Sequence, residues 1–268
     1  MNEAYNRQAA ALGERLRPGA GLLRNIYLGV RSLLLWIVCA LYFFPVCSFL
    51  VLLGIFVDPR KNDRPQRRLF RTVLRLAGVG FEVRRAPGFD PRRTSFFIVN
   101  HINLFDPFVL YSAIPQFVRG WELESHFKIP VYGWMMKRFG NVPVPAMSRP
   151  SDLKRMWKLT QEALDNGVSL AVFPEGGRTR DGRVGPFKEG VFRVAQQLGY
   201  PIVPVSVVGS FEFNRKNSWM LRPSKIVVHL HDTIETQGFG KEEIAALRDR
   251  VHRIVSRPVD EAMDARVC

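Results

Sequence analysis

A chain of 268 residues with 47% apolar content is long enough and apolar enough for one large folded domain with an appendage, and it lacks the low-complexity runs of a disordered protein. A formal charge of +15 implies anionic partners. The three cysteines, Cys39, Cys47 and Cys268, exclude a disulfide framework and have no zinc-type spacing, which suits a reducing, cytosol-facing compartment.

Through Arg93 there are 16 basic residues against 6 acidic ones, so the charge gathers around the most apolar part of the chain. That placement favours a membrane surface over nucleic acid as the partner. Residues 1–30 are mixed and basic, with Arg7, Arg15, Arg17 and Arg24, and read as an interfacial lead-in or a loose tail. The apolar run that follows starts too far in, and runs too long, for a cleaved signal peptide.

Ser32 to Val57 is 26 residues without a charge. As one helix it would be about 39 Å long, enough to span a bilayer. Pro45 sits near its middle, and basic residues flank both ends: Arg24 and Arg31 before, Arg60 to Arg71 after. A single crossing shows a positive bias on one side. The two-sided pattern therefore predicts a helix pair bent at Pro45 that dips into one leaflet, with a single span or a buried core helix as the alternatives. Residues 62–78 form a basic amphipathic helix, Leu69, Val73, Leu74 and Ala77 on one face, either facing phospholipid or packing on the core.

From residue 79 the pattern becomes that of an α/β domain, so the chain divides into membrane-anchoring helices at 1–78 and a domain at 79–268. Strands are expected at 81–84, 96–99, 117–123, 142–144, 169–173, 202–208 and 225–230. Between them come helices at 105–114, 129–139, 151–165 with Ser151 as N-cap, and 186–198. A last helix at 241–263 is interrupted at Pro258. The apolar 129–139 segment is core or the lining of an acyl groove. Alternation of strands and helices gives a mixed, mostly parallel sheet covered by helices.

Two stretches carry chemistry. In the first, the apolar strand at 96–99 runs abruptly into Asn100 and His101, with Asp106 five positions after the histidine. A carboxylate can hold one imidazole nitrogen and leave the other free to take a proton. In the second, the strand at 169–173 ends in Phe173-Pro-Glu-Gly-Gly-Arg-Thr-Arg-Asp-Gly182. Gly176 and Gly177 allow close backbone approach, and Arg178 and Arg180 can grip phosphate oxygens. Glu175 either orients Arg178 or bonds a substrate hydroxyl. Lys188, early in the next helix, adds a positive charge.

Asn100-His101 with Asp106, Phe173 to Arg178, Pro186-Phe-Lys-Glu-Gly190 and Pro201 to Val205 occur in an order and spacing that resemble the glycerolipid acyltransferase family. Its best-known members are the 1-acylglycerol-3-phosphate acyltransferases, and the resemblance covers roughly residues 80–235. It implies transfer of a fatty acyl chain from an acyl thioester, on coenzyme A or acyl carrier protein, to a lysolipid hydroxyl in phospholipid biosynthesis. By that resemblance His101 is the base and Asp106 its orienter. Asn100, Glu175, Gly176, Gly177, Arg178, Arg180 and Lys188 belong to the substrate region, and no metal, resident cofactor or covalent acyl-enzyme is implied. The membrane would be met from its cytosolic face, the inner membrane in a bacterium.

One motif departs. In the run Gly140 to Arg149, the family's arginine position holds Ala146, and Arg149 stands three residues on. Lysophosphatidic acid is the first expected acceptor, with a lyso-aminolipid or glycolipid as the alternative. Water as acceptor would make the protein an esterase or thioesterase, though no Gly-x-Ser-x-Gly elbow of a serine hydrolase is present. A non-catalytic basic membrane adaptor is the third reading.

Overall fold

A computed structural model describes residues 18–61, 63–145 and 149–265. The lead-in at 1–17, Ala146 and Cys268 lie outside the described residues.

The chain opens with α1, Pro18–Phe56, a single helix of 39 residues. It continues through Pro45 and is not divided into a pair there. A proline in a helix interior loses one backbone hydrogen bond and costs about 3 kcal/mol. Tertiary packing on either side offsets this: Cys39, Cys47 and Leu50 are buried, and Phe43 and Val46 pack against the same core. Another face of α1 is exposed and apolar and includes Leu33, Leu41, Phe49, Ile55 and Phe56. Among the described residues, α1 is the one helix long and apolar enough to cross a membrane.

Helix α2, Asp63–Leu76, packs against both α1 and the domain, with Leu69, Phe70, Val73 and Leu74 buried. Its arginines are not all on the solvent side. Arg67 pairs with Asp63 and donates to the carbonyls of Tyr111, Ile114 and Gln116.

The domain follows as β1 Val79–Arg85, β2 Phe96–Val99, α3 Asp106–Ala113, β3 Val118–Leu123, α4 Tyr132–Arg138, β4 Val142–Val144, α5 Pro150–Asp165, β5 Ser169–Val172, α6 Gly190–Leu198, β6 Ile202–Val208, α7 Ser210–Phe213, β7 Ser224–Leu230 and α8 Ile244–Asp264. The seven strands form one sheet in the order β1-β7-β6-β2-β5-β3-β4. Its neighbours run parallel except β6 and β7, so the sheet is mixed and mostly parallel. Parallel strands buried on both faces read as continuous apolar runs. Accordingly Phe96, Phe97, Ile98 and Val99 are fully buried, with side chains in two cores, one on each face of the sheet.

Four local expectations change. Helix α5 starts at Pro150, with Arg149 as N-cap, because proline suits the first helical position; Ser151 is inside the helix. The 129–139 helix is shorter, a 3₁₀ turn at Glu124–Lys128 followed by α4. Its Met135 and Met136 are core, while Trp134 is exposed. Helix α8 runs through Pro258 uninterrupted, held by the buried Val255 and Val259 on either side of it. Helix α6 begins at Gly190, so Lys188 lies in the loop before it.

Candidate active site

His101 stands at the carboxyl end of β2, between β5 and β6. Strand β2 ends there because its next residue closes the ladder by side chain. Asn100 accepts from Val207 N at 2.8 Å and donates to Val207 O at 3.0 Å. That side chain is buried, with both ends of its amide bonded to Val207, so Asn100 is a clamp between strands and not the substrate contact expected for it.

The chain then turns back on itself. Asp106, the first residue of α3, receives three donors on one oxygen: Ile102 N at 2.6 Å, Asn103 N at 3.0 Å and His101 Nδ1 at 2.8 Å. Its other oxygen accepts from Ser210 Oγ at 3.4 Å. Asp106 is fully buried at the amino end of α3, where backbone N–H groups favour an anion. Asn103 completes the turn, accepting from Phe105 N and donating to Ser210 O and Oγ. With Nδ1–H committed to the carboxylate, the lone pair of His101 Nε2 is free to accept a proton. The imidazole is 23% exposed, enough for a substrate to reach.

Three contacts join this turn to the glycine-arginine segment. The His101 ring stacks on Phe173, centroids 4.1 Å apart. His101 N donates to Glu175 Oε1 at 2.6 Å, and Thr179 N donates to His101 O at 2.9 Å. Glu175 Oε2 accepts from Gly185 N at 2.8 Å. Both carboxylate oxygens of Glu175 are therefore engaged by backbone amides, and the residue is a tie between segments; it does not orient Arg178. Burial raises its carboxyl above the ordinary range, against the opposing pull of the His101 and Gly185 amides.

Beyond Glu175 the segment opens into a hollow of about 350 Å³ lined by Gly177, Arg178, Thr179, Arg180 and Gly185, among others. Among the described residues neither Arg178 nor Arg180 has a carboxylate partner, whereas Arg183 in the same wall pairs with Asp260 and Asp264. Gly176 needs its missing side chain: φ is +69°, and a Cβ there would lie 2.6 Å from Lys188 Nζ. Lys188 thus reaches the turn, from a loop and not from a helix. Gly177 has open space around it.

Arg149 bonds Asp152 at 2.7 Å on the exposed surface and does not take the place of the arginine missing at Ala146. A larger depression, about 510 Å³, lies at the amino ends of β3 and β5, beside Phe117, Arg119 and Val168. It is at the opposite end of the sheet from His101 and holds none of the residues above. Asn103 and Ser210 belong to the site and were not foreseen; Ser210 is over a hundred positions from His101, and nothing local marks it.

Residues 80–208 match the model of the Acyltransferase family. These residues form an acyltransferase-family domain. The chain is 37% identical over 114 residues to the 1-acyl-sn-glycerol-3-phosphate acyltransferase BAT2 of Brassica napus, a match covering 42% of this chain and 33% of the relative. It is 27% identical over 160 residues to the 1-acyl-sn-glycerol-3-phosphate acyltransferase of Cocos nucifera, covering 60% and 52%. The match therefore spans a third to a half of the length of these plant relatives. To the 1-acyl-sn-glycerol-3-phosphate acyltransferase of Escherichia coli K12 it is 25% identical over 227 residues, covering 84% of this chain and 91% of the relative. The crystal structure of the 1-acyl-sn-glycerophosphate acyltransferase PlsC from Thermotoga maritima has the same fold, with a TM-score of 0.74 at 24% identity, covering 89% of this chain and 97% of that one.

Proposed function

We propose that this protein is an O-acyltransferase that moves a fatty acyl chain from an acyl thioester, on coenzyme A or acyl carrier protein, to the free hydroxyl of 1-acylglycerol-3-phosphate, giving phosphatidic acid. The observation that carries the reading is one contact set: a His101–Asp106 pair tied through Glu175 and Phe173 to a turn whose Arg178 and Arg180 have no carboxylate partner among the described residues. A base lies on one side of the turn and an anion grip on the other. That is what a phosphorylated alcohol needs in order to act as a nucleophile.

His101 Nε2 takes the hydroxyl proton as the alcohol oxygen attacks the thioester carbonyl. Asp106 holds the resulting imidazolium through Nδ1–H. As the tetrahedral adduct collapses, the C–S bond breaks and the imidazolium returns the proton to sulfur. A new ester and a free thiol result, and His101 is restored. A thioester is already activated, so a positioned base suffices without a covalent acyl-enzyme or a metal. Arg178 and Arg180 hold the acceptor phosphate in the hollow, and Lys188 contributes to its positive field.

The substrates are lipids, and α1 is the means of reaching them. It is packed along the domain from Gly29, against Trp219, to Gly54, against Arg138. A helix crossing the bilayer over that stretch would carry the flank of the domain into hydrocarbon. The packing therefore supports α1 lying in one leaflet, apolar face inward; the basic residues that flank the apolar run at both ends favour the cytosolic side for the domain. The test is thiol release from one long-chain acyl thioester, offered on either carrier, with and without a panel of lysolipids. Release that requires lysophosphatidic acid supports the reading. Equal release without any lysolipid would make the protein a thioesterase.

A further inference from the structure

The segment between α7 and β7, residues 214–223, makes contact with both the membrane helix and the glycine-arginine turn. At one end Lys216 Nζ donates to Arg178 O at 2.9 Å. At the other end the loop is fastened to α1. Arg31 donates to Leu221 O at 2.7 Å, Leu221 N donates to Ser32 Oγ at 2.9 Å, and Trp36 Nε1 donates to Trp219 O at 2.7 Å. Polar groups in an apolar helix are costly unless satisfied, and these three find their partners in one loop.

The loop between the two ends is fixed as well. Asn214 Nδ2 bonds the carbonyls of Ser218 and Met220, Arg222 N bonds Phe213 O, and Asn217 holds a positive φ of 64°. Lys216 is thus delivered to a set place. Its ammonium has three donors, of which Arg178 O takes one. It is a cation without a carboxylate partner among the described residues, bonded to the backbone of Arg178, a residue that lines the hollow. Arg149, the other candidate for an additional cation, is committed to Asp152.

We propose that Lys216 is an acceptor-binding residue, holding the Arg178 peptide and giving its remaining N–H donors to the acceptor phosphate, and that α1 fixes it there through Leu221 and Trp219. The membrane helix is then part of the acceptor site as well as an anchor. The inference rests on the reading of the hollow as the seat of a phosphorylated lysolipid.

The test is steady-state acyl transfer by the purified full chain in lipid vesicles, with saturating acyl-coenzyme A and varied 1-acylglycerol-3-phosphate. Lys216→Ala and Lys216→Gln raise the acceptor KM about tenfold or more, with kcat and the KM for acyl-coenzyme A within about twofold, as expected for loss of a charge-assisted contact. Glutamine keeps a donor for Arg178 O and removes only the charge, so it separates phosphate binding from loop support. Lys216→Arg restores most of the affinity. Trp36→Phe keeps an aromatic ring against Phe105 and deletes the N–H to Trp219, and it shifts the acceptor KM in the same direction by a smaller factor. An unchanged KM in Lys216→Gln, or equal losses for donor and acceptor, overturns the role of Lys216. An unchanged KM in Trp36→Phe overturns the role of α1. If the wild-type chain shows no turnover with lysophosphatidic acid, the functional reading itself has failed and this inference falls with it.

Discussion

Asp106→Asn has an effect that can be worked from the geometry. The acceptor oxygen at 106 is fixed by two backbone amides, Ile102 N and Asn103 N, besides His101 Nδ1. An asparagine at this position must present its carbonyl oxygen to those amides, because its NH₂ there would oppose two donors. The NH₂ then points toward Ser210 Oγ, 3.4 Å from the native second oxygen, which can accept from it. His101 therefore keeps an acceptor at Nδ1 and keeps its tautomer. What is lost is the negative charge facing the imidazolium. Hydrogen bonds to charged groups are worth about 1–1.5 kcal/mol more than those to neutral ones, so the exchange costs roughly 5- to 13-fold in kcat. In the Ser–His–Asp template the same exchange costs about 10⁴-fold because the amide selects the wrong tautomer; here the two backbone donors prevent that. The assay is single-turnover acyl transfer with wild type and Asp106→Asn, with the midpoint of thermal unfolding as a control. A kcat within twofold of wild type would refute the role of the charge. A loss near 10⁴-fold at unchanged stability would refute the claim that the backbone fixes the tautomer.

Three further outcomes follow from the same geometry. Gly176→Ala, at φ +69° and against Lys188 Nζ, lowers stability by about 1–2 kcal/mol, while Gly177→Ala, with nothing within 4 Å, changes it by less than about 0.5 kcal/mol; denaturant midpoints of the pair test this. Arg178→Ala raises the KM for lysophosphatidic acid about tenfold or more and leaves a phosphate-free monoacylglycerol acceptor unaffected, measured by initial rates with both acceptors. His231 is held down to about 4 by burial, reinforced by His229 and Arg257 and opposed by Asp232, with its Nε2 2.8 Å from Ser206 Oγ. Between pH 6.5 and about 4 the unfolded chain binds a proton there that the folded chain does not, so stability falls as pH falls through that window. Urea midpoints from pH 7 to 5 should show this slope, and His231→Gln should flatten it.

The sequence showed the sheet and the two chemical motifs because each was locally written. Four apolar residues at 96–99 meet an abrupt Asn100-His101, and a buried strand at 169–172 meets Phe173-Pro174-Glu175. The strand pattern was legible because burial on both faces leaves no polar interruption. What escaped was set by tertiary contact. Pro45 and Pro258 looked like breaks, and both helices continue because the residues beside them are packed. Asn100 looked like a ligand contact beside a catalytic residue, and Val207, over a hundred positions away, takes both ends of its amide. Glu175 was placed correctly at the strand end, but which groups it would bond depended on how loops at 101 and 185 folded over it. Lys216 carried no signal at all, since Asn214-Arg-Lys-Asn-Ser218 has the composition of an ordinary surface turn.

The account stands or falls on the proton taken by His101 Nε2. The most direct measurement is the rate of phosphatidic acid formation from 1-acylglycerol-3-phosphate and an acyl thioester by His101→Ala, beside its binding of both substrates and its thermal unfolding midpoint. Loss of at least about a hundredfold in kcat, with binding and unfolding midpoint near wild type, is the expected result. A folded His101→Ala protein that forms product at the wild-type rate would contradict it.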